Sequence, residues 1–202
     1  MKKIGLTLMC VLLAASLSAL DIKIGVAAGG NISFMTGSDW NDYVVGSSDN
    51  SIRFGFEAGA FGNIAINEFF SIQPELNFLL TRYGTTDNVK FTETIKMIEI
   101  PLLVKLNYND FFVFLGPALQ IIFGDASYNI KTIDGKEIDS GTHEIDSKIA
   151  FSGVFGVGHI VHVGNGAVFI DLRYRRQFTD IFEDFNAKLN TIAFRIGYGF
   201  DL

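Results

Sequence analysis

From residue 20 onward, large apolar side chains recur at every second position, and that period constrains the fold more than any other feature. In the C-terminal segment, Ile192, Phe194, Ile196, Tyr198, Phe200 and Leu202 alternate with Ala193, Arg195, Gly197, Gly199 and Asp201. A helix would place such residues all around its axis. A strand places them on one face and the small or charged residues on the other. The same alternation runs through Ile22–Ile32, Ile52–Gly59, Ile72–Thr81, Ile98–Leu106, Phe112–Ile121 and Val168–Arg175. Lys148–Val163 alternates poorly, and its register is the least defined. The total is eight segments.

Connections between these segments alternate in length. Short ones fall at Ile66–Phe69, Asn107–Asp110 and Gly164–Gly166. Long ones fall at Met35–Asn50, Tyr83–Thr94, Asp125–Ser147 and Thr179–Lys188. Short turns on one rim and long loops on the other are the pattern of a transmembrane β-barrel. The expected fold is therefore all-β: an eight-stranded, antiparallel, up-and-down transmembrane barrel over residues 20–202. Aromatic girdles are expected at both rims, from Phe69, Phe70, Tyr108, Phe111, Tyr198 and Phe200 on one side and Tyr83, Phe91, Phe178 and Phe182 on the other.

The first residues read differently. Lys2 and Lys3 precede an apolar run from Ile4 to Ala15, then small residues ending at Ala19. This is the layout of a cleaved secretory signal peptide, residues 1–19, with the cut after Ser18 or Ala19. Eight strands then return both termini to the periplasm. The only cysteine, Cys10, lies in that segment, so the mature chain carries no thiol chemistry and no disulfide.

Charge is distributed unevenly. Loss of Lys2 and Lys3 takes the net charge from −6 to −8. The four long loops hold fourteen carboxylates against four lysines, so the acidity belongs to one rim and excludes nucleic acid as a partner. Loop residues Trp40, Asp134, Asp139, Glu144 and Asp146 are the candidates for contact with an extracellular ligand.

On the inward faces fall Lys23, Arg53, Glu57, Glu75, Glu99, Lys105, Asp171, Arg173, Arg175, Arg195 and Asp201. An eight-stranded barrel is only wide enough for its own side chains. Near-balanced charges in that space are expected to pair into a polar plug, because an unpaired buried charge is costly. The competing reading is a narrow channel lined by Arg53, Glu57, Glu75, Arg173, Arg175 and Arg195. His159 and His162, three apart on a strand, point to opposite faces and do not make a metal site. His143 beside Glu144 and Ser140 in the longest loop does not meet the geometry a hydrolase needs. No catalytic, cofactor or metal site is expected, and the chain does not read as an enzyme.

The segment Ile98-Glu99-Ile100-Pro101-Leu102-Leu103-Val104-Lys105, followed by Phe114-Leu115-Gly116-Pro117, resembles the outer membrane protein beta-barrel domain family, PorT-like and related in architecture to OmpX and OmpA barrels. Ile170-Asp171-Leu172-Arg173-Tyr174 looks like that family's penultimate strand. The resemblance implies an outer-membrane location and an eight-stranded barrel, and it brings no catalytic residues. One departure is the terminus, where Asp201-Leu202 follows Phe200. The implied partners are outer-membrane lipid and, during biogenesis, periplasmic chaperones and the barrel insertion machinery, with the mature chain a monomer. Three roles follow: a surface-interaction barrel acting through its acidic loops, a narrow solute channel, or an accessory role in secretion suggested by the PorT resemblance.

Overall fold

A computed structural model describes residues 21–38, 52–86, 89–144, 148–179 and 187–201. Those residues form ten antiparallel strands: β1 (Ile22–Thr36), β2 (Arg53–Ala65), β3 (Phe70–Tyr83), β4 (Val89–Tyr108), β5 (Phe111–Ile122), β6 (Ala126–Thr132), β7 (Glu137–His143), β8 (Ile149–Val163), β9 (Gly166–Gln177) and β10 (Lys188–Asp201). Eight of them close a ring in the order β1-β2-β3-β4-β5-β8-β9-β10, with β10 pairing back onto β1 from Lys23↔Asp201 to Thr36↔Lys188. Closure leaves no open edge in the ring, as backbone groups in hydrocarbon require.

The alternation decides which side each residue takes. Phe54, Phe56, Leu76, Leu102, Leu115, Phe155, Leu172, Phe194 and Ile196 are all exposed, forming an apolar outer belt. Their neighbours one position along the chain face the interior. Turns at one end are tight. Asn109–Asp110 and Gly164–Asn165 each connect strands in two residues, and Asn109 (φ 53°) and Gly164 (φ 60°) adopt the left-handed region such turns need.

The sequence-based expectation fails in four places, the first being Tyr83–Thr94, read as a long loop, whose second half from Val89 already belongs to β4. Asp125–Ser147, read as a loop, contains the β6–β7 hairpin, whose first strand pairs with the outer half of β4 from Val89↔Thr132 to Thr94↔Ser127. Strands of seven residues with polar side chains on both faces carry no period-two signal. Tyr83, expected in the outer girdle, is instead inward and 1% exposed. It shares the parity of Leu79 and Thr81, and parity overrides rim position. Strand β8 alternates after all, but between large and small. Its inward residues are Ala150, Ser152, Val154, Gly156, Gly158 and Ile160, and a methyl group on Gly156 or Gly158 would overlap the ring of Phe114 or Phe112.

Candidate functional site: the barrel interior and its outer mouth

The interior is layered. Toward the tight turns, Phe61, Phe112, Phe114 and Phe169 pack with Ala27, Leu103, Ala118, Val154 and Ala167. Toward the long connections, Met35, Leu79, Tyr83, Ile95, Met97 and Ile122 pack with Ala126, Ala187 and Leu189. Eight charges are buried here: Glu57, Glu75, Glu99, Asp171, Arg173, Arg175 and Arg195 in the middle of the barrel, and Lys105 among the phenylalanines of the tight-turn layer.

Arg173 bridges two carboxylates. Its Nε donates to Asp171 Oδ1 at 2.8 Å and its Nη1 to Glu75 Oε2 at 2.9 Å. Arg195 meets the same pair from β10, with Nη2 at 3.1 Å from Asp171 Oδ2 and 3.2 Å from Glu75 Oε1. Arg175 forms a fork with Glu57, both contacts at 2.7 Å, and its Nε reaches Glu99 Oε1 at 2.9 Å. Glu99 also accepts from Gln120 Nε2, and Glu75 from Asn77 Nδ2 and Gln73 Nε2. Bidentate guanidinium–carboxylate pairs with the remaining lone pairs satisfied are the geometry in which buried charge is tolerable.

Lys105 differs from the arginines. Its ammonium donates to Gln73 Oε1 at 2.9 Å and sits 3.9 Å from the centre of the Phe112 ring. Among the described residues it contacts no carboxylate directly. Gln73 links it to Glu75, and the ring face supplies cation–π attraction instead.

Three of the inward charges lie outside this group. Lys23 pairs with Asp201 at the tight-turn mouth, where both are partly exposed. Arg53 shares the inward parity of Glu57, but at the opposite mouth its side chain turns away from the lumen and onto the outward face of β4, contrary to the expected lumen position. Its Nε donates to Thr92 Oγ1 at 2.9 Å and its Nη2 to Thr86 Oγ1 at 3.0 Å, with further bonds to the Thr85 and Phe91 carbonyls. Above the outer apolar layer, His143 Nε2 lies 3.2 Å from Glu93 Oε1, which is buried. Burial raises the Glu93 carboxyl above the usual carboxylate range, against the opposing pull of a Tyr83 hydrogen bond and His143.

Of the loop candidates, Asp134 lies in the β6–β7 turn, Asp139 on β7, and Glu144 just after it, 3.7 Å from Lys148; all three are exposed. Trp40 and Asp146 lie outside the described residues. His159 packs edge-on against Phe111, and His162 lies 3.6 Å from Asp110 at the rim. Among the described residues, no group of three or more His, Cys, Asp and Glu side chains is placed to hold a metal ion.

The sequence reading missed the apolar layers. Phe61 shares the parity of Glu57, and Phe169 that of Asp171, so the signal was present. Gln73, Asn77 and Gln120 completing the network follow the same parity.

The void bounded by Gln73, Lys105, Phe112, Phe169, Asp171 and Arg195 measures about 10 Å³, enough for one water molecule. A closed antiparallel ring, apolar outside and filled inside, defines a transmembrane β-barrel of the outer-membrane type. The model of the outer membrane protein beta-barrel domain family matches residues 14–183, and the chain belongs to that family. Its location is the outer membrane.

Among solved structures the chain is similar to Ail, the attachment invasion locus protein of Yersinia pestis, in complex with the heparin analogue sucrose octasulfate. The identity is 15%, with 89% of this chain and 99% of Ail covered and a TM-score of 0.52. Neisserial surface protein A aligns at 14% identity over 86% of this chain and 95% of its own, with a TM-score of 0.47. At such identity the likeness to Ail speaks for the fold alone. No curated protein sequence matches the chain.

Proposed function

We propose that the protein is a sealed barrel that works through its long-loop end, presenting a surface to an extracellular ligand. The observation that carries this reading is the filled interior: eight charges engaged at hydrogen-bond distance, an apolar layer on each side, and a residual void the size of a single water. A conducting pore needs a continuous wet path, and the interior is filled at both ends, by Met35, Leu79, Ile95 and Met97 toward the long connections and by the phenylalanines with the hydrogen-bonded Lys105, Gln73, Asn63 and Ser71 toward the tight turns.

In the same reading the signal peptide is removed after Ser18 or Ala19, the insertion machinery places the barrel, and both termini stay in the periplasm. The tight turns at one end and the long connections with the β6–β7 hairpin at the other support that orientation. The presenting surface comprises Asp134, Asp139 and Glu144 on and beside the hairpin, with Trp40 and Asp146 in the adjoining segments.

Single-channel recording in planar bilayers tests the sealed interior. Purified, refolded protein is expected to give no discrete conductance steps. Reproducible steps that disappear in Arg173→Gln and Glu75→Gln variants would establish the channel instead.

A further inference from the structure

The acidic chain carries a basic groove on the outside of its long-loop end. Arg53, Arg82, Lys90 and Lys131 line it together with Thr92 and Asn129, and it encloses about 550 Å³. Among the described residues, four cations and no carboxylate line this concavity. The register explains how they meet. Arg82 pairs with Thr94 across β3 and β4, while Lys90 pairs with Lys131 and Thr92 with Asn129 across β4 and β6. Residues directly opposite on antiparallel strands share a face, so Arg82, Thr94, Lys90, Lys131, Thr92 and Asn129 project outward, and Arg53 joins them from the start of β2 through its bond to Thr92. The groove exists only because β6 extends the sheet beyond the ring.

Two features indicate that it is built for an anion. Lys90 and Lys131 stand directly opposite each other, a like-charge arrangement that is unfavourable unless something neutralises it. Glu137, the strand partner of Lys131, offsets part of this charge but is also engaged by hydrogen bonds from Asn129 and Ser140, which leaves the groove net positive. Arg53 is held in place by four bonds through Nε and Nη2, and among the described residues its Nη1 is left for a ligand.

Position selects the kind of anion. The groove begins where the lipid-facing belt stops: Leu80 and Lys96 pair one step inward from Thr94, and Phe78 with Ile98 two residues beyond. Phe54, the most exposed phenylalanine of that belt, lines the groove's edge. A ligand seated there presents negative charge to the cations and an apolar portion to Phe54. We propose that this groove binds the phosphate-bearing headgroup of an outer-leaflet glycolipid, with the acyl chains lying along the belt. The proposal rests on the orientation given above, which places this end of the barrel in the outer leaflet.

The test compares wild type with an Arg82→Gln/Lys90→Gln/Lys131→Gln variant, both refolded in detergent and titrated with lipopolysaccharide carrying phosphorylated or enzymatically dephosphorylated lipid A. Native mass spectrometry reads the bound fraction. Retention of the phosphorylated glycolipid should fall on the order of tenfold to 100-fold in the variant, and similarly for wild type with the dephosphorylated form. Equal retention across these pairs overturns the proposal. Inorganic phosphate is titrated in parallel. If it competes as well as the glycolipid on a molar basis, the site is a free-anion site and the lipid assignment is wrong.

Single Lys90→Gln and Lys131→Gln variants guard against misfolding. Each should raise the urea midpoint in zwitterionic detergent, by relieving the like-charge pair, and lower it in glycolipid. The same sign in both media overturns the proposal. Orientation is read separately, by labelling a Lys136→Cys variant on intact cells with an impermeant maleimide.

Discussion

Strand β4 passes through two environments, and the contrast between its halves explains most of the molecule. From Ile98 to Tyr108, eleven residues, its outward side chains are Ile98, Ile100, Leu102, Val104 and Leu106, all exposed and apolar, and then the exposed Tyr108 at the rim. That length matches the roughly 9–11 residues a tilted strand needs to cross the hydrocarbon. From Lys90 to Lys96 the outward positions are Lys90, Thr92, Thr94 and Lys96. Inward residues change less, since Glu93, Ile95, Met97, Glu99 and Leu103 are all buried. The boundary between membrane and water is therefore written on the outward face, and Lys96 marks it.

Breaking the inner half gives the largest expected effect. Glu75→Ala removes a carboxylate shared by Arg173 and Arg195 and leaves the two buried guanidinium groups competing for Asp171. Loss of stability of about 3–5 kcal/mol is expected, read as a lowered urea midpoint by gel mobility of unboiled protein. A change no larger than that of a surface control would show that the network contributes little.

The outward face gives a sharper comparison. Leu102→Arg places a charge near mid-membrane and is expected to cost about 2–4 kcal/mol, whereas Thr94→Arg, eight residues away on the same face, costs at most about 1 kcal/mol. Equal costs would move the boundary away from Lys96.

The smallest effect concerns pH at the outer mouth. Glu93 lies beyond that boundary, and its carboxyl is raised by burial. An acid with a raised folded-state pKa binds its proton more tightly when folded, so its penalty is present when it is ionised and fades as pH falls through the folded value. Glu93→Gln should be at least as stable as wild type at neutral pH, and the two should converge on acidification. A gap that widens in acid would reverse this assignment.

The eight ring strands were legible because lipid outside and packed side chains inside enforce strict parity. The same parity placed Glu57, Glu75, Glu99, Lys105, Asp171, Arg173, Arg175 and Arg195 on inward faces. Which of them touch was not legible. Glu75 and Arg173 are 98 positions apart, and their contact depends on the shear of the closed ring. The β6–β7 hairpin was hidden for the opposite reason, because water on both faces imposes no pattern. The basic groove was hidden with it: a loop rich in Asp and Glu counts as acidic until the register sets Lys131 against Lys90.

The two halves of the network also lie far apart along the chain. Glu57, Glu75 and Glu99 arrive on β2, β3 and β4, whereas Arg173 and Arg175 wait on β9 and Arg195 on β10. A chain inserted strand by strand from its N-terminus would carry Glu57, Glu75 and Glu99, with Lys105 as their one network cation, into the bilayer before their arginine partners on β9 and β10 followed. Such half-built states are penalised by their own anions. The charges of the interior therefore balance only once β9 and β10 are in place, so a chain lacking those two strands holds Glu57, Glu75 and Glu99 without their guanidinium partners.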